Sequence, residues 1–261
     1  RDGAGHGAAG PGCAQEAGKS FLQMAWRLRN RIIPSMATAK RTRAAARPEP
    51  AEAVTEALNL RRLPAQERGR AAFEAILATA ARLIDEGGIE RLNTNLVAAE
   101  SGTNISTVYK YFPNKLAILA TLFERQNEER IAVAFDELDH LAQSDDWAAL
   151  FDRTVDRVVA HRRRQSGNAA LRRAMRSSPE LTMLEEQASR KAAERLAALL
   201  RERAGLPVAR SLRVARAVVE LEVAMLDWWE SEEGGHDAAI VRELKLMMRS
   251  YLAVQLGGPA A

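Results

Sequence analysis

The chain has 261 residues, enough for one large or two small domains with a buried core. Aromatic residues make up only 5% of it, while alanine, leucine, arginine and glutamate are frequent, which favours helix over sheet. With a single cysteine, Cys13, no apolar run of membrane-spanning length and no secretory leader, the composition argues against a membrane protein or a disulfide-rich secreted one. We therefore expect a soluble, cytoplasmic protein.

The formal net charge of +4 is unevenly distributed. Residues 1–70 carry 13 Lys and Arg against 6 Asp and Glu, a net of +7, and the remainder carries 25 against 28, a net of −3. An N-terminal part with this excess of positive charge is typical of proteins that bind nucleic acid.

Residues 1–60 are predicted to be a flexible, disordered leader, because Gly, Ala and Arg dominate and no apolar period offsets the entropy of ordering. Met36 begins a stretch that reads like a natural protein start. Residues 1–35 are then either an upstream remnant or a genuine extended N-terminus. A cationic arm follows, suited to phosphate or minor-groove contact, although solubility alone would explain it. Its residues are Lys40, Arg41, Arg43 and Arg47.

Helical periodicity first becomes clear between Gln66 and Glu86, and Gly87-Gly88 is predicted to end that helix. Its apolar face carries Phe73, Ile76, Leu77, Ala80, Leu83 and Ile84. Asn93 is placed to cap a second helix and Asn104 a third, with a tight turn at Gly102 between them.

Polar, aromatic and basic side chains crowd residues 102–115, G-T-N-I-S-T-V-Y-K-Y-F-P-N-K, on a helix too short to bury them. The pattern predicts a helix-turn-helix, whose second helix enters the DNA major groove while flanking hydroxyls and cations bind the backbone. The predicted base-reading residues are Asn95, Asn104, Ile105, Ser106 and Thr107. The predicted phosphate contacts are Asn93, Thr94, Tyr109, Lys110, Tyr111 and Lys115.

The segment from Arg68 to Leu119 resembles the DNA-binding domain of TetR-type transcriptional regulators, in which three small helices run into a long fourth one. The matching residues, with ungapped spacing, are Leu92, Thr94, Asn95, Val97, Ala98, Gly102, Tyr109, Tyr111, Phe112 and Lys115. The turn departs from the family pattern, because Thr103 replaces an apolar core residue. Its methyl group must therefore pack while its hydroxyl finds a partner.

Beyond Asp139, turn-forming residues separate helical stretches at 144–146, 166–168, 177–179, 205–207 and 234–235. Residues 208–229 carry two apolar stripes, so this helix is predicted to be buried on two sides. The family resemblance implies that the last two helices form a four-helix dimer interface; a helix central in a monomeric core is the alternative. The predicted interface residues are Val219, Leu226, Leu244, Met248 and Tyr251.

The resemblance also implies a small-molecule effector bound in the larger domain. An apolar pocket is predicted around Trp147, Phe151, Met175, Met183 and Trp228, although such residues are more often plain core. An apolar or aromatic ligand is favoured because no buried charge cluster is evident, while Arg172, Arg173 and Arg176 keep an acidic ligand open. The pairs Glu185-Glu186 and Glu232-Glu233 are interpreted as solvated faces.

Catalysis and metal binding are not expected, because His6, His140, His161 and His236 are scattered and none has metal-binding spacing. No cofactor is predicted beyond an effector of unknown identity.

The prediction is an all-α chain with a leader at 1–60, a helix-turn-helix DNA-binding domain at 61–115, a helical effector-binding and dimerisation domain at 116–256 and a tail at 257–261. The resemblance implies a homodimeric transcriptional repressor that binds an inverted-repeat operator in double-stranded DNA, without a membrane partner. The alternative is a helical protein-interaction module without sequence-specific DNA binding. Lys110 and Lys115 argue against that alternative, since it would have no use for cations beside Tyr109 and Tyr111.

Overall fold

The computed structural model of the chain describes Leu58, residues 60–165 and residues 167–256. The predictions for Cys13, for the basic arm at 40–47 and for the tail at 257–261 lie outside these residues. Leu58 belongs to the predicted leader, yet it is only 5% exposed. Protein packing therefore begins before the predicted boundary at residue 61.

The described residues form nine α-helices and no strand, which confirms the all-α prediction. The helices are α1 (Glu67–Arg91), α2 (Thr94–Glu100), α3 (Ile105–Tyr111), α4 (Lys115–Leu138), α5 (Trp147–Arg164), α6 (Asn168–Met175), α7 (Pro179–Ala204), α8 (Val208–Trp229) and α9 (Ala238–Leu256).

The first three helices, hereafter the three-helix head, enclose a small aromatic core. The predicted apolar face of α1 is buried in full. Phe73 stacks on Phe112 with 5.0 Å between ring centroids, and the edge of Tyr111 meets Phe73 at 5.5 Å. Burying an aromatic ring of this size contributes about 1.5–3 kcal/mol. The aromatic core therefore fastens the end of α3 to α1.

The regular part of α1 ends at Gly87-Gly88, as predicted, but the chain makes one further turn to Arg91. Gly87 and Gly88 lie outside the helical region, and Gly88 has a φ of 67° that favours glycine. The bend brings Leu92, which is 1% exposed, into the core before α2 begins.

Helices α4, α5, α7, α8 and α9 pack around a second, larger core. α8 packs against both α7 and α9, while α4 packs against α5, α6 and α7. Several of these helices begin at side-chain caps: Asn114 Oδ1 accepts from the Ala117 N–H at 2.9 Å, and Asp146 Oδ1 accepts from the Ala149 N–H at 2.9 Å. The predicted turns coincide with the breaks between helices.

Helix α6 joins the three-helix head to the larger core, because it packs along α1 and also against α4. Gly167, which precedes α6, has a φ of 71° and a ψ of 7°. A Cβ atom at this position would lie 2.9 Å from the carbonyl oxygen of Ala81 on α1. Glycine therefore allows both the backbone turn and the close approach of the two helices.

We predict that Gly167→Ala destabilises the protein more than Gly205→Ala does. Both glycines have a positive φ, so alanine at either site carries the left-handed strain of roughly 1–2 kcal/mol. Only at Gly167 does the added methyl also meet backbone, because nothing lies within 4 Å of a Cβ at Gly205. Urea unfolding of the full chain measures the difference, and equal losses in the two variants would contradict the close approach.

Candidate nucleic-acid interface and ligand cavity

The helix-turn-helix consists of α2, a turn at 101–104 and α3. Asn93 Oδ1 accepts from the Leu96 N–H at 2.8 Å and Asn104 Oδ1 accepts from the Ser106 N–H at 2.8 Å, so both predicted caps are confirmed. Gly102 has a φ of 65° and provides the turn. The Thr103 hydroxyl lies 2.8 Å from the Ser101 hydroxyl, which gives it the partner that the departure from the family pattern requires.

Packing and hydrogen bonds fix the orientation of α3. Val108 is fully buried on its inner face, and the Thr94 hydroxyl lies 3.0 Å from the Tyr109 hydroxyl, which ties α3 to the start of α2. Arg61 adds two bonds at the C-terminal end of α3: its backbone N–H donates to the Tyr111 carbonyl at 2.9 Å and its Nη1 donates to the Tyr109 carbonyl at 3.1 Å. The outer face of α3 is thereby held in one orientation.

The predicted base-reading residues lie at the starts of α2 and α3. Asn95, Asn104 and Ser106 are exposed, and Ile105 and Thr107 are half-buried. Because Asn104 caps α3 through its side-chain oxygen, its amide N–H groups are the part left to meet DNA. An exposed row of amide, hydroxyl and methyl groups has the chemistry of base edges in the major groove.

Most of the predicted phosphate contacts are accessible, with one exception. Asn93, Tyr109 and Lys110 are exposed, and Thr94 and Lys115 are half-buried. Tyr111 is instead 2% exposed in the aromatic core, and its hydroxyl donates to the Gly69 carbonyl at 3.4 Å. The prediction of a phosphate contact for Tyr111 is therefore wrong, because its ring is part of the core that supports α3.

Sequence reasoning missed Arg61, whose guanidinium lies at the C-terminal end of α3. A cation beside the recognition helix suits a phosphate. No motif marks this arginine, because it precedes the first periodic helix.

A narrow cavity of about 40 Å³ lies between α4, α5, α7, α8 and α9. Most of its wall is apolar, as in pockets for small organic ligands. Representative lining residues are Ile131, Phe135, Phe151, Val155, Leu196 and Met248.

The predicted pocket residues are only partly correct. Phe151 lines the cavity, and Trp147 lies behind it with its ring centroid 6.3 Å from that of Phe151. Met175 is fully buried but does not line the cavity. Met183 and Trp228 are 40% and 45% exposed on the surface, so they do not enclose a ligand. The buried tryptophan of α8 is the next residue, Trp229.

The predicted dimer residues need a larger correction. Val219, Leu226, Leu244 and Met248 are at most 6% exposed and belong to the core of their own chain, and Val219 and Met248 line the cavity. Tyr251 is 36% exposed on α9. Further exposed apolar residues on α8 and α9 are Val208, Leu212, Leu246, Met247 and Val254.

A cluster of buried charges occupies the junction of α5, α6 and α8, contrary to the sequence-based expectation. Asp227 accepts hydrogen bonds from Arg162 at 3.2 Å, from Arg172 at 3.1 Å and from Arg176 at 2.6 Å. Glu230 accepts from Arg162 at 3.1 Å and from Asn168 at 2.7 Å. Burial raises the pKa of the Asp227 carboxyl, but the charges of Arg172 and Arg162 outweigh burial and hold that pKa below its ordinary value.

Glu185 also differs from its prediction, because it forms an ion pair with Arg172 at 2.5 Å and its side chain is 17% exposed. Glu186, Glu232 and Glu233 are exposed, as predicted. Across the described helices, none combines the length and apolarity needed to cross a membrane. The same part of the chain contains no group of His, Cys, Asp and Glu side chains suited to a metal ion.

Two family profiles match the chain. The profile for bacterial regulatory proteins of the tetR family matches residues 76–122, and the profile for the tetracyclin repressor-like C-terminal domain matches residues 146–252. No curated protein matches.

Solved structures are also similar. A TetR-family transcriptional regulator from Streptomyces coelicolor is 26% identical with a TM-score of 0.50, over 70% of this chain and 98% of that one. A member of the TetR family from Streptomyces coelicolor A3 is 19% identical with a TM-score of 0.47, over 68% and 97% of the two chains. A transcriptional regulator from Cytophaga hutchinsonii ATCC 33406 is 22% identical with a TM-score of 0.46, over 71% and 96%.

A capped helix-turn-helix with an exposed polar recognition helix, followed by a larger helical domain, defines a DNA-binding transcriptional regulator. The chain belongs to the TetR family of such regulators, as the motif between Arg68 and Leu119 indicates. Members of this family are regulators and not enzymes.

We predict that Lys115→Ala weakens binding to any DNA sequence and lowers the slope of log affinity against log salt by about one, because one phosphate contact is lost. Lys191→Ala is the matched control, since Lys191 is an exposed lysine on α7. Fluorescence anisotropy of a labelled random-sequence duplex over a range of salt concentrations measures both slopes. An unchanged slope in Lys115→Ala, or an equal drop in Lys191→Ala, would contradict the contact.

Proposed function

We propose that this protein is a repressor that binds an inverted-repeat operator as a homodimer and leaves it when a small-molecule effector occupies the cavity of the larger domain. The observation that carries the proposal is that α4 serves both parts of the molecule. Its first residue is Lys115, beside the recognition helix, and its second half supplies Arg130, Ile131, Ala134, Phe135 and Leu138 to the cavity wall.

The proposed division places the DNA-binding domain at 61–115, extended toward Leu58, and the effector and dimerisation domain at 116–256. Base reading is assigned to the first turn of α3 and to the start of α2, through Asn95, Asn104, Ile105, Ser106 and Thr107. Phosphate binding is assigned to Asn93, Thr94, Tyr109, Lys110 and Lys115, with Arg61 added and Tyr111 removed.

The release mechanism is a shift between two conformations. A ligand changes that equilibrium only by its different affinity for the two states. A ligand that fits the cavity better in one position of α4 would favour that position, and the DNA-contacting end of the same helix would move with it. A second route runs through α6, which packs against α4 and along α1.

Selection of bound duplexes from a random DNA library tests the proposal. We expect the recovered sequences to contain an inverted repeat, because a symmetric dimer presents its two recognition helices to half-sites about one helical turn apart or a multiple of it. Recovery of no common sequence, at good folding of the protein, would rule out sequence-specific recognition.

We predict that Ile105→Ala reduces the preference at one base pair in each half-site without weakening binding to random DNA. Ile105 cannot hydrogen-bond, so its expected contact is a thymine methyl group, with a discrimination at the low end of about 1–3 kcal/mol. Competition binding with single-base operator variants measures the loss. Unchanged preference at every position would place Ile105 outside the groove.

We predict that Met247→Glu weakens the dimer and Met183→Glu does not. The two methionines are similarly exposed, at 38% and 40%, but Met247 shares a stripe of α9 with Tyr251 and Val254, whereas Met183 lies on α7. A carboxylate buried in an apolar interface costs several kcal/mol. Sedimentation equilibrium measures the effect, and a monomeric wild-type protein at micromolar concentration would contradict the dimer.

A further inference from the structure

An open groove lies between the end of α5 and the start of α9, and it has a volume of about 560 Å³. This volume lies within the range of roughly 300–1,000 Å³ that is common for small-molecule sites. The apolar part of its lining consists of Val159, Ala160, Ala238 and Val241. The groove shares no lining residue with the cavity between α4, α5, α7, α8 and α9, so it is a separate candidate site.

Two ion pairs join α5 to α9 and lead into the groove. Arg249 Nη1 lies 3.2 Å from Asp152 Oδ2, and Lys245 Nζ lies 2.6 Å from Asp156 Oδ1. The pairs are spaced by four residues on both helices, which run antiparallel. The next position of this series on α5 is Ala160, which carries no charge. The series of ion pairs therefore stops at the groove.

Three arginines that line the groove form no ion pair with any residue that the structure describes. Arg163 and Arg164 belong to the last turn of α5, and Arg242 follows the first turn of α9; all three are exposed. The other ionisable residues of the lining, Lys245 and Asp156, neutralise each other. The lining thus has four cations and one carboxylate, a net charge of +3.

Helix dipoles explain only part of this positive charge. Cations in the last turn of α5 complement the negative end of that helix, but Arg242 lies near the positive end of α9, where the dipole gives a cation no benefit. Arg163 is also held in place, because its guanidinium carbon lies 5.2 Å from the ring centroid of the buried Trp229. The arginines therefore border a concave site in which no protein carboxylate balances them.

We propose that this groove binds an organic diphosphate with the size and charge of a nucleoside diphosphate. Such a molecule carries about three negative charges at neutral pH, because both phosphates are ionised and the terminal one loses a second proton with a pKa of about 6. The planar guanidinium groups of Arg163, Arg164 and Arg242 match phosphate oxygens in pairs. The apolar lining covers the organic part. The site is additional to the effector cavity of the function proposed above.

The volume and the apolar lining favour a small molecule over a DNA strand as the source of the phosphates. Phosphates of a duplex need positive charge, but they make no use of an apolar surface between the cations. The groove supplies both.

The ligand class is tested with ADP, AMP, adenosine and inorganic pyrophosphate on the full chain. Isothermal titration calorimetry without divalent cations, at one fixed ionic strength, gives the dissociation constants. We expect ADP to bind at least about tenfold more tightly than AMP, and adenosine to bind least, because each phosphate adds charge-assisted bonds to arginine. Pyrophosphate should compete with ADP, since it lacks only the organic part.

Substitutions at Ala160 locate the site. Ala160→Asp supplies the carboxylate that is absent from the series of ion pairs, next to Arg242 and Arg164. Ala160→Asn has almost the same size without the charge, so it is the matched control. Ala160 is exposed, and both variants should fold. We expect ADP to bind at least about tenfold more weakly to Ala160→Asp than to Ala160→Asn, because like charges repel at short distance.

A pair of double variants separates the groove from the general positive charge of the protein. Arg164→Gln/Arg242→Gln removes two cations of the groove. Arg173→Gln/Arg190→Gln removes two exposed arginines of α6 and α7 outside it. We expect the first to weaken ADP binding by at least about tenfold and the second to leave it unchanged.

The proposal is overturned if ADP binds no better than adenosine, if Ala160→Asp and Ala160→Asn bind ADP equally, or if the two double variants lose equal affinity. Two other results would reassign the groove. If Arg164→Gln/Arg242→Gln keeps its ADP affinity but lowers the salt slope for random-sequence DNA, the groove contacts DNA. If it keeps its ADP affinity but loses the dimer, a second copy occupies the groove. If ADP binds as expected while no operator is recognised, the site stands and the proposed function fails.

Discussion

The position of helix α6 depends on one buried carboxylate, that of Asp227. This group lies on α8 and is bound by Arg162 of α5, by Arg172 of α6 and by Arg176, which directly follows α6. Replacing a buried ion that has several partners leaves uncompensated charges in a medium of low polarity, which costs far more than losing an exposed ion pair. Because α6 also packs along α1, the charge that orders the larger domain also sets where the three-helix head is attached. The pKa of the Asp227 carboxyl is held below its ordinary value. The stabilisation by this carboxylate is therefore complete at neutral pH and is lost as the pH falls through the lowered pKa.

Much of the fold could be predicted because it follows from local chemistry. Several sequence signals affect only residues close to them in the chain. They are the apolar period of α1, the glycines at 87 and 88, the asparagine caps at 93 and 104, and the turn residues between the later helices. Such signals are readable in one sequence. The same reasoning failed where a choice between partners was required: both apolar stripes of α8 looked suitable for an interface, and only tertiary packing shows that Val219 and Leu226 belong to the chain's own core.

The candidate site was predicted less completely, for a related reason. Tyr111 carries a hydroxyl and lies in a DNA-binding motif, so the sequence suggested a phosphate contact, whereas its ring completes the aromatic core. Arg130 forms an ion pair with Glu222, although more than half of the sequence of the larger domain lies between them. Each residue alone looks like an ordinary charge on a helical face. Periodicity indicates which side of a helix a residue occupies; it does not indicate that a charge on that side meets an opposite charge inside a cavity.

Helix α4 has a mechanical consequence that follows from its length alone. It continues for 24 residues, so Arg130 lies about 22 Å along the axis from Lys115 at a rise of about 1.5 Å per residue. An unbroken helix is stiff over this distance, so it acts as a lever arm. A tilt of about 5° about the cavity end would carry the other end through about 2 Å, several times the spread of about 0.5 Å in hydrogen-bond lengths. An effector could therefore disturb both halves of a palindrome while shifting the atoms around it only slightly.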